Sequence, residues 1–248
     1  HGQLQYYGTH TGRWAGRGVQ LQNLPHTLED NLAETRAVVK YEDYDDIAML
    51  YDSVPEVLSG LIRTALVPSE GRRLIVADYS AIEARVIAWL AGERWRMETF
   101  TANGDIYCAS ASRMFGVPVV KHGENGNLRA NGKIAELALG YGGGRDALKR
   151  MGGERMGLSD SEMDRIVCRW RDASPYIVRL WSDLERMVRT AYASAEDGAH
   201  EWSVLWMAGG RCSCKACVIG RTLWVCLPSG RHLAYQGISI DGRDISYM

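Results

Sequence analysis

The chain has 248 residues, 46% hydrophobic and 24% charged, with a formal net charge of −1. These values exclude a disordered or collagen-like chain and suit one large or two small globular domains. Near-neutral charge also removes the simplest argument for nucleic-acid binding, a strongly basic protein.

Along the chain the charge is uneven. Residues 1–25 carry Arg13 and Arg17 and no acid, within "THTGRWAGRGVQLQNLP". Such a loop of Gly, amides and Arg reads either as a reach into a nucleic-acid groove or as a surface turn. Residues 26–60 hold nine acids against Arg36 and Lys40, which reads as a solvated helical face or loop. "RRLIVADYS" (72–80) is a short apolar run ending in Asp78 and predicts a buried strand. Ser80-x-x-Glu83 then spells a capping box, so a helix is expected directly after it. Asp78 has two readings: a carboxylate holding a divalent cation at a cleft, or an Asp near a helix N-terminus.

Residues 129–141 are good helix formers that stop at Gly142-Gly143-Gly144. Arg129, Lys133, Leu137 and Tyr141 recur every four residues and share one stripe about 18 Å long. Two cations, an apolar residue and an aromatic suit phosphates at one end and a base at the other. An amphipathic helix with snorkelling cations is the plainer alternative. "GNLRANGKI" is not a phosphate loop: its glycines are one residue too far apart and Ile follows the Lys. Ser159-x-x-Glu162 opens another helix, with Met163, Ile166, Val167 and Trp170 at helical spacing. Ser174-Pro175 starts a third, whose stripe runs through Ile177, Leu180, Trp181, Leu184, Met187, Val188 and Ala191. "TLWVCLPSGRHLAYQGISI" alternates and turns at Pro-Ser-Gly, which predicts a β-hairpin. The order is mixed α and β.

Six Cys are too few for a disulfide-stapled scaffold, so an intracellular, reducing setting is expected. "CSCKAC" offers Cys212, Cys214 and Cys217 to zinc, with Cys226, His200 or His232 as a fourth ligand. Without paired C-x-x-C knuckles, free thiols in a loop are the expectation. No apolar run approaches the ~20 residues that span a bilayer, so no membrane partner is expected. His1 at one end and "DISYM" at the other suggest a piece of a longer protein.

Together these segments resemble family A DNA polymerases, the bacterial polymerase I group. "TGRWAGRGVQLQNLP" is similar to the family's palm-entry motif, "VADYSAIEARVIAWLAGE" to motif A, and "RANGKIAELALGYGGG" to motif B, in the family's order. "LPSGRHLAY" and "ISYM" resemble phage and prophage members. The resemblance implies an α/β (α+β) fold, a polymerase palm with an antiparallel sheet plus helical fingers. Residues 1–94 would form part of the palm with the primer–template loop, 95–200 the fingers, and 201–248 a β-hairpin region returning to the palm.

The resemblance also implies roles. Asp78, with the Tyr79 backbone carbonyl, would bind two Mg2+ ions. Arg129 and Lys133 would meet the incoming deoxynucleoside triphosphate. Glu83 would exclude a ribose 2′-hydroxyl. Tyr141, with Gly142 beside it, would lie near the template base. Arg13, Gln22 and Asn23 would touch the primer–template minor groove. The expected setting is a monomer in the cytoplasm of a bacterial host cell.

Three departures bear on these roles. Leu137 stands where the best-known members carry Phe or Tyr, which bears on dideoxynucleotide discrimination. Tyr107 stands where the family has a His that helps hold the triphosphate. No His-Asp-Glu of motif C occurs, and neither Asp241 nor Asp244 has its context. The alternative to a DNA polymerase is therefore a catalytically incomplete module that binds primer–template and nucleotide.

Overall fold

The computed structural model describes residues 2–25 and 31–248, which fall into two compact units, His1–Asp78 and Tyr79–Met248. Mixed helices and antiparallel sheets make the fold α+β, as the sequence predicts.

In the first unit, β1 (Leu4–Gln5) pairs antiparallel with β2 (Ala15–Gly16). Three helices follow: α1 (Leu32–Tyr41), α2 (Tyr44–Leu50) and α3 (Val54–Leu61). The Asp43 carboxylate caps α2 and the Ser53 hydroxyl caps α3, each accepting from first-turn backbone N–H groups. Val54, Val57 and Ile47 turn inward, while the acids from Glu34 to Glu56 stay exposed, which is the solvated face expected of that stretch. Glu29 and Asp30 lie outside the described residues. Arg63 ties the preceding loop down by donating from Nε and Nη2 to the Leu24 carbonyl, at 2.9 and 2.6 Å.

The strand expected over 72–80 is not formed. Leu74, Ile75 and Val76 are 59%, 78% and 88% exposed. An apolar run becomes a strand only where a neighbour supplies ladder hydrogen bonds, and no described residue pairs with this one.

The second unit opens with α4 (Ile82–Ala91), α5 (Arg94–Thr101) and α6 (Ile106–Phe115). It continues through α7 (Arg129–Leu139), α8 (Arg145–Arg150), α9 (Asp160–Ala173) and α10 (Pro175–Glu196). The capping box at Ser159 and Glu162 is formed, and Met163, Ile166, Val167 and Trp170 are buried as their spacing predicts. Fully burying such side chains contributes about 1.5–3 kcal/mol each. The capping box at Ser80 and Glu83 is not formed. Ala81 takes the N-cap position in a left-handed conformation (φ 50°) with no side-chain cap, and the Ser80 carbonyl accepts from Arg85 Nε at 2.9 Å.

Two large cores organise this unit, beside a small cluster of Cys108, Ala111 and Val119. One gathers α6, α7, α9 and the start of α10 around Trp170, with Ile87 and Ala91 of α4 packed against it. Gly132 permits the close approach of α7 to α6: a Cβ there would run into the Tyr107 carbonyl oxygen. The other core lies between α10 and a four-stranded antiparallel sheet, ordered β3 (Ser203–Met207), β4 (Cys212–Ile219), β5 (Thr222–Cys226), β6 (His232–Gln236). Leu180, Met187 and Ala191 of the α10 stripe face Cys214, Ala216, Val218 and Leu223. The hairpin predicted at Pro-Ser-Gly joins β5 to β6 in the register Cys226↔His232, closed by Leu227 N–H to Arg231 O at 2.8 Å. A last hairpin, β7 (Ser239–Asp241) with β8 (Asp244–Ser246), pairs Asp241 with Asp244. Arg189 of α10 holds its turn, Nη1 donating to the Gly242 carbonyl at 2.9 Å and Nη2 to the Arg243 carbonyl. Among the described residues, no helix is long and apolar enough to cross a membrane.

Candidate nucleotide site

Helix α7 has a buried face and an open one. Gly132, Ile134, Ala135, Glu136, Ala138 and Leu139 are buried. Lys133, Leu137 and Tyr141 are exposed on the predicted stripe. Glu136 fixes the rotation of the helix from the buried side. Its carboxylate pairs with Arg96 Nη1 and accepts Trp170 Nε1–H at 2.8 Å. Arg96 is fully buried, donates from Nη2 to Ser174 Oγ at 2.8 Å, and lies over the Trp95 and Trp170 rings. Turning α7 would unpair these groups in the interior, so Lys133 and Leu137 are held outward.

At the start of the stripe the structure departs from expectation. Arg129 does not lie open beside Lys133: its Nε is 2.7 Å from Asp105 Oδ2, and its guanidinium lies 5.1 Å over the Tyr107 ring. Asp105 also caps α6, accepting from the Tyr107 and Cys108 N–H groups at 2.9 and 3.3 Å. Burial pushes the Asp105 carboxyl up, but the Arg129 hydrogen bond and the backbone donors outweigh it and leave it below its usual range. The same bond raises Arg129. Lys133, by contrast, makes no ion pair among the described residues.

The remaining predicted residues are placed as follows. Glu83 sits exposed in the first turn of α4. Tyr141 follows the end of α7 and is 68% exposed; Gly142 beside it has φ +78°. Arg13, Gln22 and Asn23 are exposed in the first unit, where Asn23 Nδ2 donates to Gln20 Oε1 and the Arg13 backbone N–H to Thr9 Oγ1. Asp78 ends the first unit, exposed and outside any strand. The Tyr79 carbonyl accepts from Ile82 N–H at 3.3 Å.

Among the described residues, no three or more His, Cys, Asp or Glu side chains gather where they could hold an ion. Nor do the cysteines converge. Cys212 and Cys214 point from β4 toward α10, while Cys217, an odd number of residues on, points from the opposite face. The Cys217 thiol donates to the His200 carbonyl at 3.1 Å. Burial pushes both the Cys214 and Cys217 thiols up, away from the thiolate that zinc requires.

Sequence reasoning missed Asp105, Arg96 and Glu136. Asp105 had a local signal, an Asp directly before the apolar-periodic "IYCASA". The Arg96–Glu136 pair joins residues 40 apart and had none.

A family model described as "DNA polymerase family A" matches residues 1–194. A DNA polymerase of Bacillus phage SP02 is 48% identical over 237 residues, 94% of this chain and 35% of the phage protein. DNA polymerase I of Pseudomonas aeruginosa is 31% identical over 118 residues, 48% of this chain and 13% of that protein. Among solved structures, the POL domain of Pol1 from M. smegmatis, in complex with DNA primer-template and dNTP, covers 81% of this chain at 23% identity and a TM-score of 0.48; the match spans 28% of that chain. The chain thus spans about a third of the phage relative's length and less of the bacterial one.

Proposed function

The chain belongs to DNA polymerase family A, and from that membership we propose that it forms part of a DNA-directed DNA polymerase that extends a primer with deoxynucleotides along a template. The observation that carries the reading is the outward face of α7, on which Lys133 and Leu137 stand exposed on a helix pinned from behind, with Tyr141 exposed just past its end. Lys133 offers a compact, unpaired charge to a polyphosphate. Leu137 and Tyr141 offer an apolar patch and an aromatic face to a base. Arg129 joins Lys133 on the same phosphates only by leaving Asp105, so its contribution is a difference between two anionic partners. Glu83 opens α4 and is the proposed guard against a ribose 2′-hydroxyl. Mg2+ belongs to the proposal for the whole polymerase, to which this chain would bring Asp78. Primer–template DNA at Arg13, Gln22 and Asn23, a monomeric state, and the cytoplasm of a bacterial host belong to the same proposal.

Calorimetric titration with a deoxynucleoside triphosphate in the presence of magnesium tests it. Lys133→Ala should weaken binding roughly ten- to a hundredfold, the usual effect of losing one charge-assisted contact. Equal affinity in the two proteins would refute the assignment.

A further inference from the structure

Away from the α7 stripe, two adjoining clefts of about 330 and 380 Å3 open between the end of α4, the start of α10 and the turn after β3. Each has the size of a ligand pocket, about 300–1,000 Å3. They share Ala91, Tyr176, Ala208 and Gly209, so Tyr176 stands at the junction of one continuous furrow.

The furrow's chemistry is specific. Three arginines line it, Arg94, Arg179 and Arg211, against a single acid, Asp183. That acid is already engaged by Arg179 and Arg186. Arg94 and Arg211 are exposed and make no ion pair among the described residues. Three aromatic rings accompany these charges: Tyr176, 52% exposed, with Trp89 and Trp206 at the two ends. Tyr176 is also anchored, because its backbone N–H donates to the buried Glu93 carboxylate at 3.0 Å. Its ring therefore projects from a fixed point at the head of α10. The facing turn is bare: Gly209 and Gly210 have positive φ, and a Cβ at either would meet nothing within 4 Å.

We propose that this furrow binds a single strand of DNA, its phosphates on Arg94 and Arg211 and a base against Tyr176. Unpaired guanidinium groups next to exposed rings match a backbone that is anionic and bases whose faces are free. A duplex hides those faces in its stack, and an acidic peptide has none. The site shares no residue with the proposed nucleotide stripe. It rests on the polymerase reading only for the strand's origin, the unpaired template.

Fluorescence anisotropy with a labelled oligothymidylate of about 10 nucleotides tests the proposal. The double substitution Arg94→Gln/Arg211→Gln should weaken binding at least tenfold and reduce the slope of log affinity against log salt by about 1.4, near 0.7 per lost phosphate contact. Tyr176→Ala should weaken binding roughly five- to a hundredfold with little change in that slope. Lys121→Gln, an exposed cation outside the furrow, is the control and should change little. Unaltered affinity and slope in the double variant would overturn the proposal. So would equal binding of duplex and single strand with no effect of Tyr176→Ala, the behaviour of a general polyanion surface. Nucleotide titration keeps the two readings apart. A Tyr176-dependent oligothymidylate signal without triphosphate binding sinks the nucleotide stripe alone, and triphosphate binding without that signal sinks the furrow alone.

Discussion

Arg129 Nε lies 2.7 Å from Asp105 Oδ2, joining the first residue of α7 to the N-cap of α6. This bond decides how much of the expected pair of phosphate cations is available. Asp105→Asn keeps an N-cap for α6, since Asn caps as well as Asp, and removes the charge that competes for the guanidinium. Triphosphate affinity should rise roughly three- to tenfold, about 0.7–1.4 kcal/mol, read by calorimetry. An unchanged or weaker affinity would show that Arg129 serves α6 rather than the nucleotide.

The pH dependence of the same pair follows from its direction. Asp105 is held below its usual range in the folded chain, so its share of stability is present above the unfolded value, about 3.9, and is lost as pH falls through the lowered folded value. Melting curves of wild type and Asp105→Asn should therefore differ most at neutral pH and converge as the pH falls through that lowered value.

Much of α7 and its surroundings was legible because the signals are local. The stripe from Arg129 to Tyr141, the capping box at Ser159 and the hairpin at Pro-Ser-Gly each depend on neighbours within a few residues. The same spelling at Ser80-x-x-Glu83 produced no box, because the left-handed Ala81 takes the cap position. The apolar run 72–80 read as a strand by composition, but strand formation depends on a partner that no local pattern announces. "CSCKAC" read as free thiols in a loop, with zinc as the alternative; the residues instead form β4, where alternation sends Cys217 away from Cys212 and Cys214. Asp105 stands 24 residues from Arg129, and that distance hid the contact.

The Arg96–Glu136 pair should behave as one unit. Glu136→Ala leaves a fully buried guanidinium and the Trp170 N–H without their acceptor, at a cost of about 3–5 kcal/mol in denaturant unfolding. The double change Arg96→Met/Glu136→Leu removes both charges and should cost less than the two single losses added together. Additive losses would mean the pair is not coupled.

Glu93 gives a pH effect of opposite sign. Burial pushes its carboxyl above the usual range, against the pull of the Tyr176 N–H and the Arg96 charge. Its contribution is complete below the unfolded value, about 4.3, and is lost as pH rises through the raised folded value. Glu93→Gln keeps an oxygen for the Tyr176 N–H and has no charge to bury. Its melting temperature relative to wild type should be higher at pH 7.5 than at pH 4. A difference that does not move with pH would mean the ionised form costs nothing where it sits.

The β4 cysteines make the last case. A zinc ion needs thiolates that converge, and here Cys214 is enclosed between the sheet and α10 while Cys217 donates from the opposite face to the His200 carbonyl. Both thiols are shifted toward the protonated form by burial, so binding would also require paying to ionise them in the interior. Protein purified without chelator should carry well under one zinc per chain by elemental analysis, and EDTA should leave its melting temperature unchanged. Cys214→Ser should destabilise by about 1–3 kcal/mol with or without zinc, because it places a hydroxyl in an apolar core. Stoichiometric zinc whose removal lowers the melting temperature would mean the cysteines are rearranged from this register, and β4 would have to be redrawn.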